Sequence, residues 1–500
     1  MPRRRAAVFW AASTVAVVSS VSALGFGGSV HAAGLFVGTH GARPTALGGA
    51  FVAGADDLNA LYYNPAGVVL AQSAPDGYAV LFDAGLVLQH VAYTRNDAGF
   101  IRPTVHADGG AFSGAPPVLP QVAFAKKWSG RLGSIALGLG LWTPYSSLAR
   151  YPEGDYATEE TRRQVPDTAP QRYQLVGLHD GSVSQATLAA VIHPVASFSV
   201  LQDRLQFGLG PQLLLMQFRA KLMLNGCPSV NCAPENPDYD ALVLAQAFSL
   251  SPSMNLGVLW QPFASMRLGF SFQLPFFVRS LQGQVTTRLP AAELFNGAQV
   301  QGQDADFAMD LAPVLRLGAA FWLWQKRLRL EAAYTAEFWS IQDRLTVVPR
   351  NVRLVQVKGF DTYNLGPMAI DRQMQNTHAV HLGIEAVFWK HLGARLGGMF
   401  ESGAMPTATM SVFSPDGPKG LMALGAFFPG VRFAAAVWRF DLGYARIIQA
   451  DRTVLPEDSR LTAQNPLRPV LGLAPGQGGV GGGEYQVSYD LITVGFAVER

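Results

Sequence analysis

From residue 77 onward, apolar and polar side chains alternate with a period of two. Over 206–217, Phe207, Leu209, Leu213 and Leu215 share one face, and Gln206, Gly208, Gly210 and Gln212 share the other. Over 328–339, Leu330, Ala332, Tyr334, Ala336 and Phe338 oppose Arg329, Glu331, Thr335 and Glu337. Over 438–444, Trp438, Phe440, Leu442 and Tyr444 oppose Arg439 and Asp441. Successive side chains of an extended chain point to opposite faces, so each such segment predicts a strand with one apolar and one polar side. About fourteen segments follow, at 77–94, 119–129, 134–146, 183–200, 204–224, 240–261, 267–290, 305–324, 328–348, 374–389, 393–404, 430–438, 440–449 and 484–498. Short turns at 126–131, 202–204, 261–263, 325–327 and 390–391 alternate with long connections at 95–118, 147–182, 225–239, 349–373, 405–429 and 450–483. A membrane-spanning barrel connects its strands in this way, with tight turns on one side and long loops on the other. The predicted fold is all-β: a transmembrane antiparallel β-barrel of about 14 strands over 77–500. The closing strand changes phase, since Tyr485, Val487 and Tyr489 share one face while Val494, Phe496 and Val498 share the other. A bulge near Leu491 is therefore expected.

Composition narrows the choice. The chain has 500 residues, of which 15% are charged and 11% aromatic. Water-soluble proteins usually carry about 25% charge. Beyond the N-terminus no stretch of about 18 apolar residues runs without a charge, so helical spans are not supported. Residues 1–32 read as a signal peptide: Arg3, Arg4 and Arg5 precede an apolar stretch broken at Gly25, Gly27 and Gly28, and Val30-His31-Ala32 supplies a cleavage site. Without those three arginines, 35 of the 38 basic side chains remain against 35 acidic ones. The balance gives no reason to expect nucleic acid. Cys227 and Cys232 are the only cysteines, and in an exported chain they are expected to close a small loop disulfide. Neither a metal nor another cofactor is expected.

Residues 33–76 lack long alternation and are rich in Gly and Ala. They are expected to form a small N-terminal plug, or hatch, in the lumen. Residues 41–67 read GARPTALGGAFVAGADDLNALYYNPAG. This resembles the FadL/TodX family of outer-membrane transporters for long-chain fatty acids and aromatic hydrocarbons. In that family a Gly- and Ala-rich hatch with an acidic pair and an Asn-Pro-Ala-Gly element follows the signal peptide. Gly48, Gly49, Asp56, Asp57, Asn64, Pro65, Ala66 and Gly67 carry the match. Further echoes lie at 203–210, 313–321, 328–340, 441–445 and 483–485. The C-terminal Arg500 departs from the usual terminal aromatic residue.

The resemblance implies passive uptake of a hydrophobic small molecule across the outer membrane of a Gram-negative-type bacterium, by a monomeric barrel embedded in outer-membrane lipids. The ligand gates the N-terminal hatch and leaves laterally through the wall at a kink in the third strand. That strand ends Gly138, Gly140, Trp142 and Pro144 here. Pro144 cannot donate a ladder hydrogen bond, so it either opens a gap or ends the strand at the loop. In the hatch, Gly48, Gly49 and Gly67 are expected to allow close approach to the wall. Asp56 and Asp57 either pair with lumen arginines or form an Asx turn or helix cap. Phe272, Phe276, Phe277 and Trp339 are candidate hydrophobic ligand contacts; the alternative is interfacial girdle residues.

Rival readings are weaker. An outer-membrane enzyme needs a nucleophile and base, and His179, His193, His378 and His381 sit in no such motif. A general porin would lack the hatch. An aromatic-hydrocarbon channel, and a loop-based adhesin or structural barrel, stay open as alternatives.

Overall fold

The computed structural model describes residues 39–71, 74, 76–97, 100–101, 105–107, 118–150, 184–226, 237–390, 392–433, 436–464, 467, 476–479 and 481–500. The expected signal peptide over 1–32 and the expected disulfide between Cys227 and Cys232 fall on residues outside those described.

Fourteen antiparallel strands form a closed barrel. They are β1 Tyr78–Asp97, β2 Val118–Gly130, β3 Gly133–Trp142, β4 Ser184–Val200, β5 Leu205–Asn225, β6 Asp240–Phe263 and β7 Met266–Gln273. The rest are β8 Val314–Leu323, β9 Leu328–Glu337, β10 Thr377–Trp389, β11 Leu392–Glu401, β12 Lys419–Phe433, β13 Ala436–Gln449 and β14 Gly483–Glu499. β14 closes the ring, pairing with β1 from Ala79↔Glu499 to Arg95↔Gly483 and with β13 on its other side. Short connections all fall at one end, where Trp128, Trp260, Phe263, Trp324 and Trp389 stand exposed as an aromatic girdle. Above it the outward face is Leu-, Phe- and Val-rich: Leu137, Leu209, Leu382, Met422 and Leu442 are examples.

Three expectations are corrected. First, β12 and β13 occupy Lys419–Phe433 and Ala436–Gln449 rather than 430–438 and 440–449. Much of the stretch taken for a long loop is wall. Its inward residues Ala423 and Gly425 are small, Gly425 lying against Ala46 of the hatch, which blurs the alternation, while Met422 and Leu424 face lipid at 68% and 57% exposure. Second, the strands around 267–348 and 374–389 are interrupted. β7, β8, β9 and β10 each continue outward as a separate segment, Phe276–Arg288, Ala305–Leu311, Arg344–Pro349 and Met368–Asp371. Pro275 and Pro313 stand in two of the breaks, where no N–H is available for the ladder. Third, the β1–β14 ladder has no bulge near Leu491. Tyr485, Val487, Tyr489 and Leu491 all point inward and are buried. The phase change instead marks a change of surroundings. Beside the hatch the lumen wall is small and polar; further out it is apolar, and Glu484, Gln486 and Asp490 take the outward positions.

The packed core thus sits inside the barrel. Its inner floor is the hatch, with helices α1 Ala42–Ala46 and α2 Ala60–Tyr63 and a 3-10 turn over Pro65–Leu70. Phe51, Leu58, Leu61, Tyr63 and Val68 pack with Trp142, Leu214, Phe276 and Trp339 from the wall in one hydrophobic cluster.

Candidate functional site

The hatch is held by side chains aimed inward from the wall. Arg43 is buried and makes a two-pronged contact with Glu385 of β10, with Nε–Oε2 and Nη2–Oε1 both 3.0 Å. Its Nη1 also reaches Asp56 at 2.7 Å and Asp57 at 3.0 Å. Arg439 of β13 donates to Asp57 at 3.2 Å, and Arg395 of β11 joins Glu385 at 2.6 Å. Breaking one member of a buried ion group leaves an uncompensated charge and costs about 3–5 kcal/mol. Burial pushes the Asp57 carboxyl up, but Arg439 and Arg43 beside it hold it below its ordinary value of 3.8. Asp57 Oδ1 also accepts from Asn59 N–H at 2.8 Å. Both alternatives left open for Asp57 are therefore present together, while Asp56 pairs chiefly with an arginine of the hatch itself.

Glu331 of β9 performs a second task. It accepts from the backbone N–H groups of Val52 (2.7 Å), Ala53 (2.8 Å) and Gly54 (3.1 Å). The neighbouring Arg329 donates to Gly54 O at 3.0 Å. His381 Nδ1 donates to Gly48 O at 2.8 Å. At the Asn-Pro-Ala-Gly element, Asn64 Oδ1 accepts from Ala66 N–H, and Asn64 Nδ2 donates to Val52 O at 3.0 Å and to the wall at Val258 O, 3.2 Å. Ser197 of β4 donates to Ala66 O at 2.9 Å. Pro65 opens the 3-10 turn, where its missing N–H is no loss.

Close approach comes from wall glycines as well as from the hatch. A Cβ on Gly208 would lie 2.2 Å from Ala66 N, one on Gly257 2.2 Å from Asn64 Oδ1, and one on Gly397 2.1 Å from Gly48 N. Gly269, Gly318 and Gly425 face hatch atoms in the same manner. Gly48 does meet the wall at Gly397 and Gly398, and Gly49 meets His381, but Gly67 packs within the hatch against Ala55 O. From sequence, Gly208, Arg329, Glu331 and Arg439 were placed on the polar faces of their strands, but Gly257, Gly397, Glu385 and Arg395, which meet the hatch or its ion pairs, were not singled out. Their signal was present, as Gly or charge recurring on the inward phase of successive strands, but only pairing aligns those positions around the ring.

At β3, Gly138 and Gly140 do not weaken the ladder. Both are paired on both sides, and their bare inward faces accommodate Leu61, Val68 and the Trp142 ring. The interruption lies beyond Trp142. Pairing to β2 ends at Val122↔Leu141. Pairing to β4 ends at Trp142↔Val191 and resumes at Ser147↔Thr187, so residues 143–146, with Pro144 among them, stand opposite only 188–190. Trp142 packs edge-on against Tyr62 of the hatch, 6.0 Å between centroids. A cavity of about 370 Å3, counting its mouth, lies beside this break. Thr39, His40 and Gly41 of the hatch line it with Leu119, Gln121, Trp142 and Thr143 of the wall.

Of the four candidate ligand contacts, Phe276 and Trp339 are buried in the lumen, at 0% and 2% exposure. Phe277 points outward, and Phe272 shares the outward phase of Phe270. The lumen and lipid faces alternate, so these pairs cannot serve one site. A second cavity of about 630 Å3, counting its mouth, lies at the long-loop end. Leu224, Val243, Val285, Phe295, Leu354 and Met368 are among its lining residues, none of which is charged. Among the described residues, no group of three or more His, Cys, Asp or Glu is placed to hold a metal ion.

Solved structures share this architecture. A Pseudomonas aeruginosa FadL homologue superposes with a TM-score of 0.66 at 17% identity, covering 93% of this chain and 99% of that one. The Pseudomonas putida toluene transporter TodX gives 0.59 at 14% identity, with 94% and 99% covered. The Ralstonia pickettii toluene transporter TbuX gives 0.56 at 13%, with 92% and 98% covered. No curated protein sequence matches. The family model described as outer membrane protein transport protein (OMPP1/FadL/TodX) matches residues 172–472. That span is more than half of the chain, and with the hatched fourteen-strand barrel it places this protein in the OMPP1/FadL/TodX family of outer-membrane transport proteins for hydrophobic compounds.

Proposed function

We propose that this protein, exported and cleaved after Ala32, passively passes long-chain fatty acids or aromatic hydrocarbons across the outer membrane and releases them sideways through its wall at residues 143–146. The observation that carries this reading is the cavity that touches both the edge of the hatch and the broken ladder beyond Trp142. Irregular backbone at membrane depth is tolerated where it lines a cavity. The uncharged cavity under the outer loops suits a hydrocarbon chain or ring arriving from outside. A carboxylate would meet Arg316 further in, whose guanidinium lies 4.9 Å over the Tyr62 ring and whose Nη1 has no hydrogen-bond partner. The body of the hatch is locked on several sides, so ligand gating is confined to its edge at residues 39–41.

The test is deletion of Pro144. Four residues of the break then become three, matching 188–190, and the ladder to β4 can run on without interruption. Uptake of radiolabelled oleate and toluene by cells expressing the deletion should fall to background. Undiminished uptake by a correctly folded deletion would refute exit at this point.

A further inference from the structure

The break in β3 is pinned across the lumen to the break in β7. Tyr145, the residue after Pro144, follows the end of the β2–β3 ladder at Val122↔Leu141. Its Oη accepts a 2.8 Å hydrogen bond from Gln273 Nε2, and its ring meets Phe276 edge-on, centroids 5.7 Å apart. Gln273 and Phe276 flank the Leu274–Pro275 break and are 2% and 0% exposed. At that point the β6 ladder stops at Gln273↔Asn255 and resumes on the outer segment of β7 at Ser280↔Ser249. On its other side the β3 segment is held by Ser146, whose Oγ donates to Ala189 O at 3.3 Å and accepts from Ala189 N–H at 3.1 Å. The outer segment that carries Phe276 at its foot also carries Val285 and Thr287, which line the uncharged outer cavity.

From this geometry we infer that Tyr145 is a latch: it holds the interrupted β3 segment inward against β7, and a hydrophobic ligand in the outer cavity, by shifting the outer segment of β7, releases it. The latch is a positioning device and rests on the transport reading above. Both wall breaks then act as one unit, because the segment that lines the outer cavity carries the aromatic ring, and the amide stands just across the Leu274–Pro275 break from it.

Y145F keeps the ring and removes the hydroxyl; Q273L removes the donor. Each should raise initial uptake of radiolabelled toluene at sub-saturating concentration about fivefold, the size of one net hydrogen bond. The double variant should rise no further, since both changes remove one bond. Ion conductance of the purified protein in planar bilayers should stay at the wild-type level, because the hatch is untouched. Unchanged uptake in the single variants, additive uptake in the double, or conductance rising in parallel would overturn the latch. If the wild-type chain itself takes up neither toluene nor oleate, the transport reading falls instead.

Discussion

Replacing Glu331 with alanine tests how the hatch is seated. The wild-type carboxylate satisfies three consecutive buried N–H groups, those of Val52, Ala53 and Gly54, and stands beside Arg329. Alanine leaves all three donors without a partner. An unmet buried donor costs about 1–3 kcal/mol. Even at the lower bound, with water entering the vacated space, the loss is about 3 kcal/mol, or roughly a hundredfold in the equilibrium between seated and released forms of this segment. Glu331→Gln keeps an acceptor oxygen but loses the charge assistance, so its effect should be smaller by about half in free energy. Amide deuterium exchange of the purified protein, read by mass spectrometry, resolves the effect. Amides 52–54 should exchange about a hundredfold faster in Glu331→Ala. Val69 N–H, held by Ser197 on the far side of the hatch, should keep its protection. Exchange at 52–54 equal to wild type would show that the carboxylate does not seat the hatch.

Three further outcomes follow from the same geometry. Gly208→Val should unseat the Asn64–Gly67 turn and raise ion conductance, because even a Cβ there falls 2.2 Å from hatch backbone; Gly366→Val, with open space around it, should leave conductance unchanged. Lowering the pH should leave the Asp57 ion pairs intact down to about pH 4 and weaken that one anchor of the hatch below it: the seated Asp57 titrates below 3.8, so its contribution is complete above its unfolded value and is lost as pH falls through the lower one. A conductance that rises near pH 6 would contradict this. Intact-mass measurement of the protein from the outer membrane should place its first residue at Ala33.

The strand count and their alternating faces were legible in the chain. A lipid-facing Leu209 and a lumen-facing Gly208 differ in sequence by one position, and that difference survives any error in strand ends. The segment at 41–67 could be set apart from the wall, because its Asn-Pro-Ala-Gly element and acidic pair are local. Other features were not local. The wall at 419–433 looked like loop because its inward residues are small, and Gly425 lies against Ala46 of a hatch far away along the chain. The closing strand seemed to need a bulge because polarity along a barrel depends on depth as well as face. The lock on Arg43 joins Glu385, Asp56 and Asp57, and the latch on Tyr145 joins Gln273 and Phe276. The sequence by itself determined the wall and its alternating faces, since period is a property of neighbouring residues. Only the tertiary structure decided which inward side chains meet, because closing the sheet into a ring brings together positions that no spacing along the chain connects.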